Sequence, residues 1–169
     1  MTIDNSKTII GLRINIFIAT VLLLAYFVLT YFAGIIKYPL LGMSDTIWTV
    51  ILISAYLIFA IYPIVLNYQY VFYSDEGDTI VFRYFNAGIV GGKKNTIEIK
   101  KSNLSGYKTE KRYFGLMQSI TLFQQLREGV AKYPPVYISN LTGKEKSGIL
   151  HSLYLHTPKE GNDVSGEHE

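Results

Sequence analysis

The chain has 169 residues, 49% hydrophobic and 17% charged, with a formal net charge of +3. That length accommodates two membrane-crossing segments and one small domain of about 90 residues. There is no cysteine, which excludes a disulfide framework, cysteine-ligated zinc, a cysteine nucleophile and a lipid attached to an N-terminal cysteine.

Residues 1–11 read as a short polar leader containing Lys7, with Arg13 at the mouth of the first apolar run. Residues 14–36 carry no formally charged side chain, and residues 47–66 form a second apolar run. A helix needs roughly 20 apolar residues to cross a hydrocarbon core of ~30 Å, and its backbone groups must be satisfied within the segment. The spacing therefore predicts a two-helix transmembrane hairpin within residues 12–67. The first run is longer than a signal-peptide core, and no small-residue cleavage site stands near Ala33-Gly34, so it reads as a retained helix. Pro39 and Gly42 break the connection, and Pro63 predicts a kink or early stop in the second helix.

Residues 69–158 carry 12 Lys and Arg against 7 Asp and Glu. With Lys7 and Arg13 on the same side as this basic portion, the positive-inside rule places both termini in the cytoplasm. Tyr31, Tyr38 and Trp48 fit the outer interface, and Tyr62, Tyr68 and Tyr70 the inner one.

Beyond the hairpin the apolar period changes to two. Strands are predicted at 68–73, 79–85, 96–100, 104–111, 118–126 and 136–139, with turns at Ser74-Asp75-Glu76-Gly77-Asp78 and Arg127-Glu128-Gly129. Residues 86–94, with Gly88, Gly91 and Gly92, read as a flexible loop. The strand at 104–111 reads as an edge blunted by Lys108 and Lys111. Thr142-Gly143-Lys144-Glu145 has the spacing of a capping box, and Ile149, Leu150, Leu153 and Tyr154 form one helical face ended by Pro158. Residues 158–169 read as an acidic disordered tail.

About seven short antiparallel strands followed by one amphipathic helix resemble a pleckstrin-homology fold, a bent strand barrel capped by a C-terminal helix. The stretch NTIEIKKSNLSGYKTEKRYFGLMQSITLF is similar to the bacterial PH-like pattern. Alternating isoleucines (Ile97, Ile99) run into a polar turn, Leu104 opens the next strand, and the aromatic-glycine-leucine element Phe114-Gly115-Leu116 precedes another. The chain departs from that pattern at Lys100, where such domains commonly place proline. Membrane proteins of the YcxB-like type share the two-helix hairpin and small cytoplasmic domain. The resemblance covers residues 68–156 and implies a membrane-anchored cytoplasmic module, not an enzyme, with no cofactor and no ligand motif to carry over.

Candidate contacts follow from residue type. Lys93, Lys94, Lys100, Lys101, Lys108, Lys111 and Arg112 are candidates for anionic lipid headgroups, each worth about 1 kcal/mol near such a surface. Their plainer reading is solvated strand and loop charge, with Glu98 and Glu110 interleaved. Gly91-Gly92-Lys93-Lys94 lacks the Ser or Thr and the following helix of a P-loop. Tyr107, Tyr113, Phe114, Tyr133 and Tyr137 are candidate partner contacts against core packing as the alternative. His151 and His156 lie five apart, off the spacing for a shared metal, and the loop holding Asp75, Glu76 and Asp78 is too short for the twelve-residue calcium pattern. No catalytic constellation is recognisable, and no nucleic-acid or small-molecule partner is called for. Thr20, Tyr26, Thr30, Ser54 and Tyr56 are expected to pack the helices on each other or on a partner. The sequence thus predicts an accessory subunit that binds another membrane protein or a second copy of itself, with a lipid-responsive module as the alternative.

Overall fold

The computed structural model describes residues 1–87 and 92–158. The proposed tail and part of the glycine loop lie outside the described residues. Two compact units emerge. One is the apolar hairpin, Ile10–Val65. The other, a β unit, joins Met1–Ile9 to the chain from Leu66 onward.

The first three elements are strand β1 (Thr2–Asp4) and helices α1 (Ser6–Phe27) and α2 (Asp45–Val65). Helix α1 starts eight residues before the expected 14, because the Asp4 carboxylate accepts a hydrogen bond from Ser6 N–H at 2.8 Å and satisfies an otherwise orphaned donor. It passes into one wide π turn, Val28–Phe32, so that 27 continuous helical residues are long and apolar enough to cross a membrane. Helix α2 meets the same criterion and continues through Pro63 to Val65. Hydroxyls join the helices: Thr20 Oγ1 to Tyr56 Oη at 2.9 Å, and Tyr26 Oη to Thr49 Oγ1 at 2.9 Å. Thr20, Tyr26 and Tyr56 thus pair helix to helix as expected, and Thr49 is the partner that the sequence reading missed.

The β unit contains β2 (Gln69–Ser74), β3 (Thr79–Asn86), β4 (Asn95–Lys100), β5 (Leu104–Arg112), β6 (Met117–Leu126), β7 (Gly129–Lys132), β8 (Val136–Tyr137) and helix α3 (Gly143–His156). One antiparallel sheet runs β1-β2-β3-β4, and a second runs β5-β6-β7, with β8 also on β6. The expected antiparallel strands and C-terminal helix are present, but the expected bent barrel is seen as two sheets that do not close into one. A 3-10 turn at Lys101–Asn103 takes the chain off the first sheet, and the register slips at Leu104/Gly106 as β5 opens the second. Pro134 and Pro135, which lack N–H donors, split β7 from β8 along the same side of β6.

Alternation decides the core. In β2 and β3, Val71, Tyr73, Ile80, Phe82 and Tyr84 turn inward, and Ile97, Ile99, Ile120, Leu122 and Val136 join them from neighbouring strands. Helix α3 covers this cluster with Ile149 and Leu153, its N-terminus closed by the predicted capping box. Tyr154, expected on the inner face, is exposed, and Ser152 is buried instead.

Ser152 has a polar reason to be there. The buried Tyr73 hydroxyl donates to Ser152 Oγ at 2.7 Å, and Ser152 donates in turn to Asp75, which also pairs with the Met1 ammonium. Burial pushes the Tyr73 phenol up to about 12; the Ser152 contact lowers it and the Asp75 charge raises it. A phenol whose pKa rises on folding contributes stability that is complete below its unfolded value of 10.0 and is lost as pH climbs towards 12. Alkaline unfolding of the full chain should therefore steepen between those values, and Tyr73→Phe should flatten that slope while lowering stability at neutral pH by about 1–3 kcal/mol. An unchanged alkaline slope in Tyr73→Phe counts against this account.

Candidate functional site

The β unit has two distinguishable ends, separated by the length of β2, about 17 Å. At one end the chain enters from α2 and leaves into α1. There Asn5, which alone separates β1 from α1, is buried and acts as a clamp. Its Oδ1 accepts Val71 N–H at 2.8 Å and its Nδ2 donates to Gln69 C=O at 3.0 Å. Gln69 extends the network, donating to Asn86 Oδ1 at 2.9 Å and accepting Tyr137 N–H at 2.9 Å. Asn140 donates to the same Gln69 carbonyl at 2.9 Å. Five segments are thereby tied together by amide groups whose donors and acceptors match those of the backbone.

The hairpin turn between β5 and β6 lies at this same end. Asn67, two residues after α2, donates to Met117 Sδ at 3.7 Å, and Met117 faces Arg112 across the turn. Tyr113-Phe114-Gly115-Leu116 form the turn, closed by Gly115 N–H to Arg112 C=O and Leu116 N–H to Tyr113 C=O, both 3.1 Å. Tyr113, Phe114 and Gly115 all take left-handed backbone, with φ of 50°, 56° and 86°. Glycine adopts that region freely, but for a bulky L-residue it costs roughly 1–2 kcal/mol. The consequence is exposure: Tyr113 and Leu116 are each more than half exposed and Phe114 is fully so. Three apolar side chains are held out in solvent by a backbone that is itself strained, an arrangement that points to function.

The lysine set predicted from sequence divides by position. Lys93 and Lys94 precede Asn95, which pairs with Tyr84 near the Tyr68–Ala87 contact, so they belong to the anchor end. Lys111 and Arg112 flank the exposed turn. Lys146, which the sequence reading left out, donates to Ser139 C=O at 3.0 Å, and Ser139 bonds Gln118, the second residue of β6. Burial, and then the neighbouring Lys111 charge, holds the Lys146 ammonium below its ordinary value. Lys100 and Lys101 lie at the opposite end, where Lys101 N–H donates to Asp78 C=O at 2.8 Å and its charge acts on Asp75. Lys108 and Arg112 both pair with Glu110, at 3.5 and 3.3 Å, which leaves the stretch 108–112 less basic than its lysines imply.

The aromatic set divides too. Tyr107 and Tyr133 pack against the core, and Tyr133 donates to Gln124 Oε1 at 2.6 Å. Tyr137 lies half-buried in β8. Only Tyr113 and Phe114 of the five stand free in solvent, and Leu116 joins them. Among the described residues no three His, Asp or Glu side chains gather as metal ligands.

If the turn stores strain, Phe114→Gly should raise the thermal midpoint of the full chain, by an amount equivalent to about 1 kcal/mol, because glycine relieves the left-handed backbone. Phe114→Ala keeps the strained backbone and should leave the midpoint unchanged. Equal shifts from the two substitutions would show that side-chain exposure, not backbone, sets the effect.

Compared with known proteins, the chain matches no family model, no curated protein and no solved structure.

Proposed function

We propose that this chain is a non-enzymatic membrane-anchored interaction module, in which the hairpin holds a PH-like β unit on the cytoplasmic face of a bacterial inner membrane. There it serves as an accessory subunit of a larger membrane assembly, contacting another membrane protein. The observation that carries this reading is the place of the hairpin in the chain. It is inserted between two paired strands, with Thr2, Ile3 and Asp4 opposite Ser74, Tyr73 and Phe72. A β unit built from both flanks of an apolar segment folds only where both flanks reach the same side. That condition suits an even number of crossings and agrees with Lys and Arg on both flanks.

A domain tethered in this way needs no affinity of its own to reach the membrane, because its concentration there is of order millimolar through the link. Its surface contacts are then available for orientation and for partners. Contact with anionic lipid is a second reading, favoured by the cations gathered around the exposed turn.

The absence of cysteine makes the topology directly testable. Single cysteines introduced at Thr2, Gly42 and Glu128 should react with a membrane-impermeant maleimide in two classes. Position 42 should be labelled from the outside of intact cells, and 2 and 128 only after the inner face is opened. Labelling of 2 and 128 on opposite sides is incompatible with the proposal. Isolation of the full chain from its native membrane in mild detergent should also bring down a stoichiometric second chain, and recovery as a lone species would remove the accessory-subunit role.

A further inference from the structure

We infer that the β5–β6 turn is a membrane-surface wedge, in which Tyr113, Phe114 and Leu116 enter the headgroup region of an anionic bilayer and the surrounding cations pair with its phosphates. The inference rests on the anchored reading above and names what this end of the β unit touches.

Three independent observations converge on it. The first is position. The turn lies at the end of the β unit through which the chain enters from α2, since Asn67 and Met117 are in contact. Only three residues, Leu66, Asn67 and Tyr68, separate α2 from β2 in the chain. The second is chemistry. Fully exposed Phe114 with Tyr113 and Leu116 supplies an apolar tip with one amphipathic ring, the composition suited to a membrane–water interface. The third is charge. Lys93, Lys94, Lys111, Arg112 and Lys146 belong to that end, whereas Asp75, Glu76 and Asp78 lie in the β2–β3 turn at the other. The anchor end is thus basic, whereas at the other end Lys100, Lys101 and the Met1 ammonium offset the three carboxylates, and an anionic surface complements the basic end. A protein groove could accept the apolar tip, but it gives no reason for the cations to gather where the chain meets α2.

The strained backbone fits this role better than a flexible loop would. Side chains already presented in the bound geometry lose little freedom on contact, so even a shallow insertion is retained. For a domain already tethered, the gain is orientation: the wedge fixes which face of the β unit looks away from the membrane.

The test uses the full chain in nanodiscs, with Leu116→Cys carrying an environment-sensitive fluorophore and Phe114 kept. Nanodiscs of phosphatidylcholine with phosphatidylglycerol are compared with phosphatidylcholine alone. Glu128→Cys, in the β6–β7 turn, serves as the solvent reference. The expected result is blue-shifted emission at 116, quenched by lipids spin-labelled near the headgroup, in the anionic discs. Lys111→Glu with Arg112→Glu should lower the inserted-to-free ratio at least fivefold, as should Phe114→Ser. Emission at 116 indistinguishable from 128 in both lipids overturns the wedge. So does a blue shift that appears only in native membrane vesicles, which assigns the tip to a protein. A chain that fails to enter nanodiscs at all refutes the anchored reading itself, so the two failures are distinguishable.

Discussion

The pairing of β1 with β2 is the constraint on which the rest of this molecule depends. Three residues before the apolar hairpin pair with three of the strand after it, and Asn5 fastens the junction, adding its side-chain amide to the backbone bond from its N–H to Val71 C=O. Its two bonds, to Val71 N–H and Gln69 C=O, are buried, and each group left without its partner would cost about 1–3 kcal/mol. The same junction fixes the start of α1 and, through Gln69, the segment that leads to α3. The hairpin is therefore an insertion within the β unit in chain order, since residues from both of its flanks build that unit.

Within the β unit, apolar and polar interiors have different tasks. The cluster around Phe82, Ile99, Ile120 and Leu153 supplies burial, and any inward residue of similar volume could serve it. The Tyr73–Ser152–Asp75 chain is specific, because only one rotation of α3 brings Ser152 under the phenol. One fixes that the helix packs, the other where. Such a division explains why α3 turns Ser152 inward and leaves Tyr154 in solvent.

Much of this was legible from residue type and period. The two apolar runs, the strands from Gln69 to Leu126 and the capping box at Thr142 follow from local pattern, and the structure reproduces them. What escaped was non-local. Thr2-Ile3-Asp4 is too short to show a period, and only its partners, Phe72 to Ser74 on the far side of the hairpin, make it a strand. The bent barrel was expected from strand count alone, which does not fix which strands pair; the division into two sheets falls at the 3-10 turn before β5, which no local pattern marks. For the candidate site, lysines alone gave no way to tell one end of the β unit from the other, and Lys146 was invisible because its neighbours come from β6 and Ser139. The turn 113–116 was legible as aromatic, but its left-handed backbone was not, since Tyr and Phe have no preference for that conformation.

The interruption of the β unit by the apolar hairpin also sets an order of events during synthesis. Strand β1 leaves the ribosome first and has no partner until the hairpin has been made and β2 has followed it. Closing a free loop of that length would cost several RT, growing only logarithmically with residue number. A hairpin of two packed helices folds the intervening chain back on itself and brings the waiting strand to its mate, so its formation acts as a template for completing the β unit. The N-terminal edge of the sheet can therefore pair before β3 and β4 are made, and a chain whose hairpin fails to fold back keeps β2 unpaired on that side, an open edge that quality-control proteases and aggregation alike recognise.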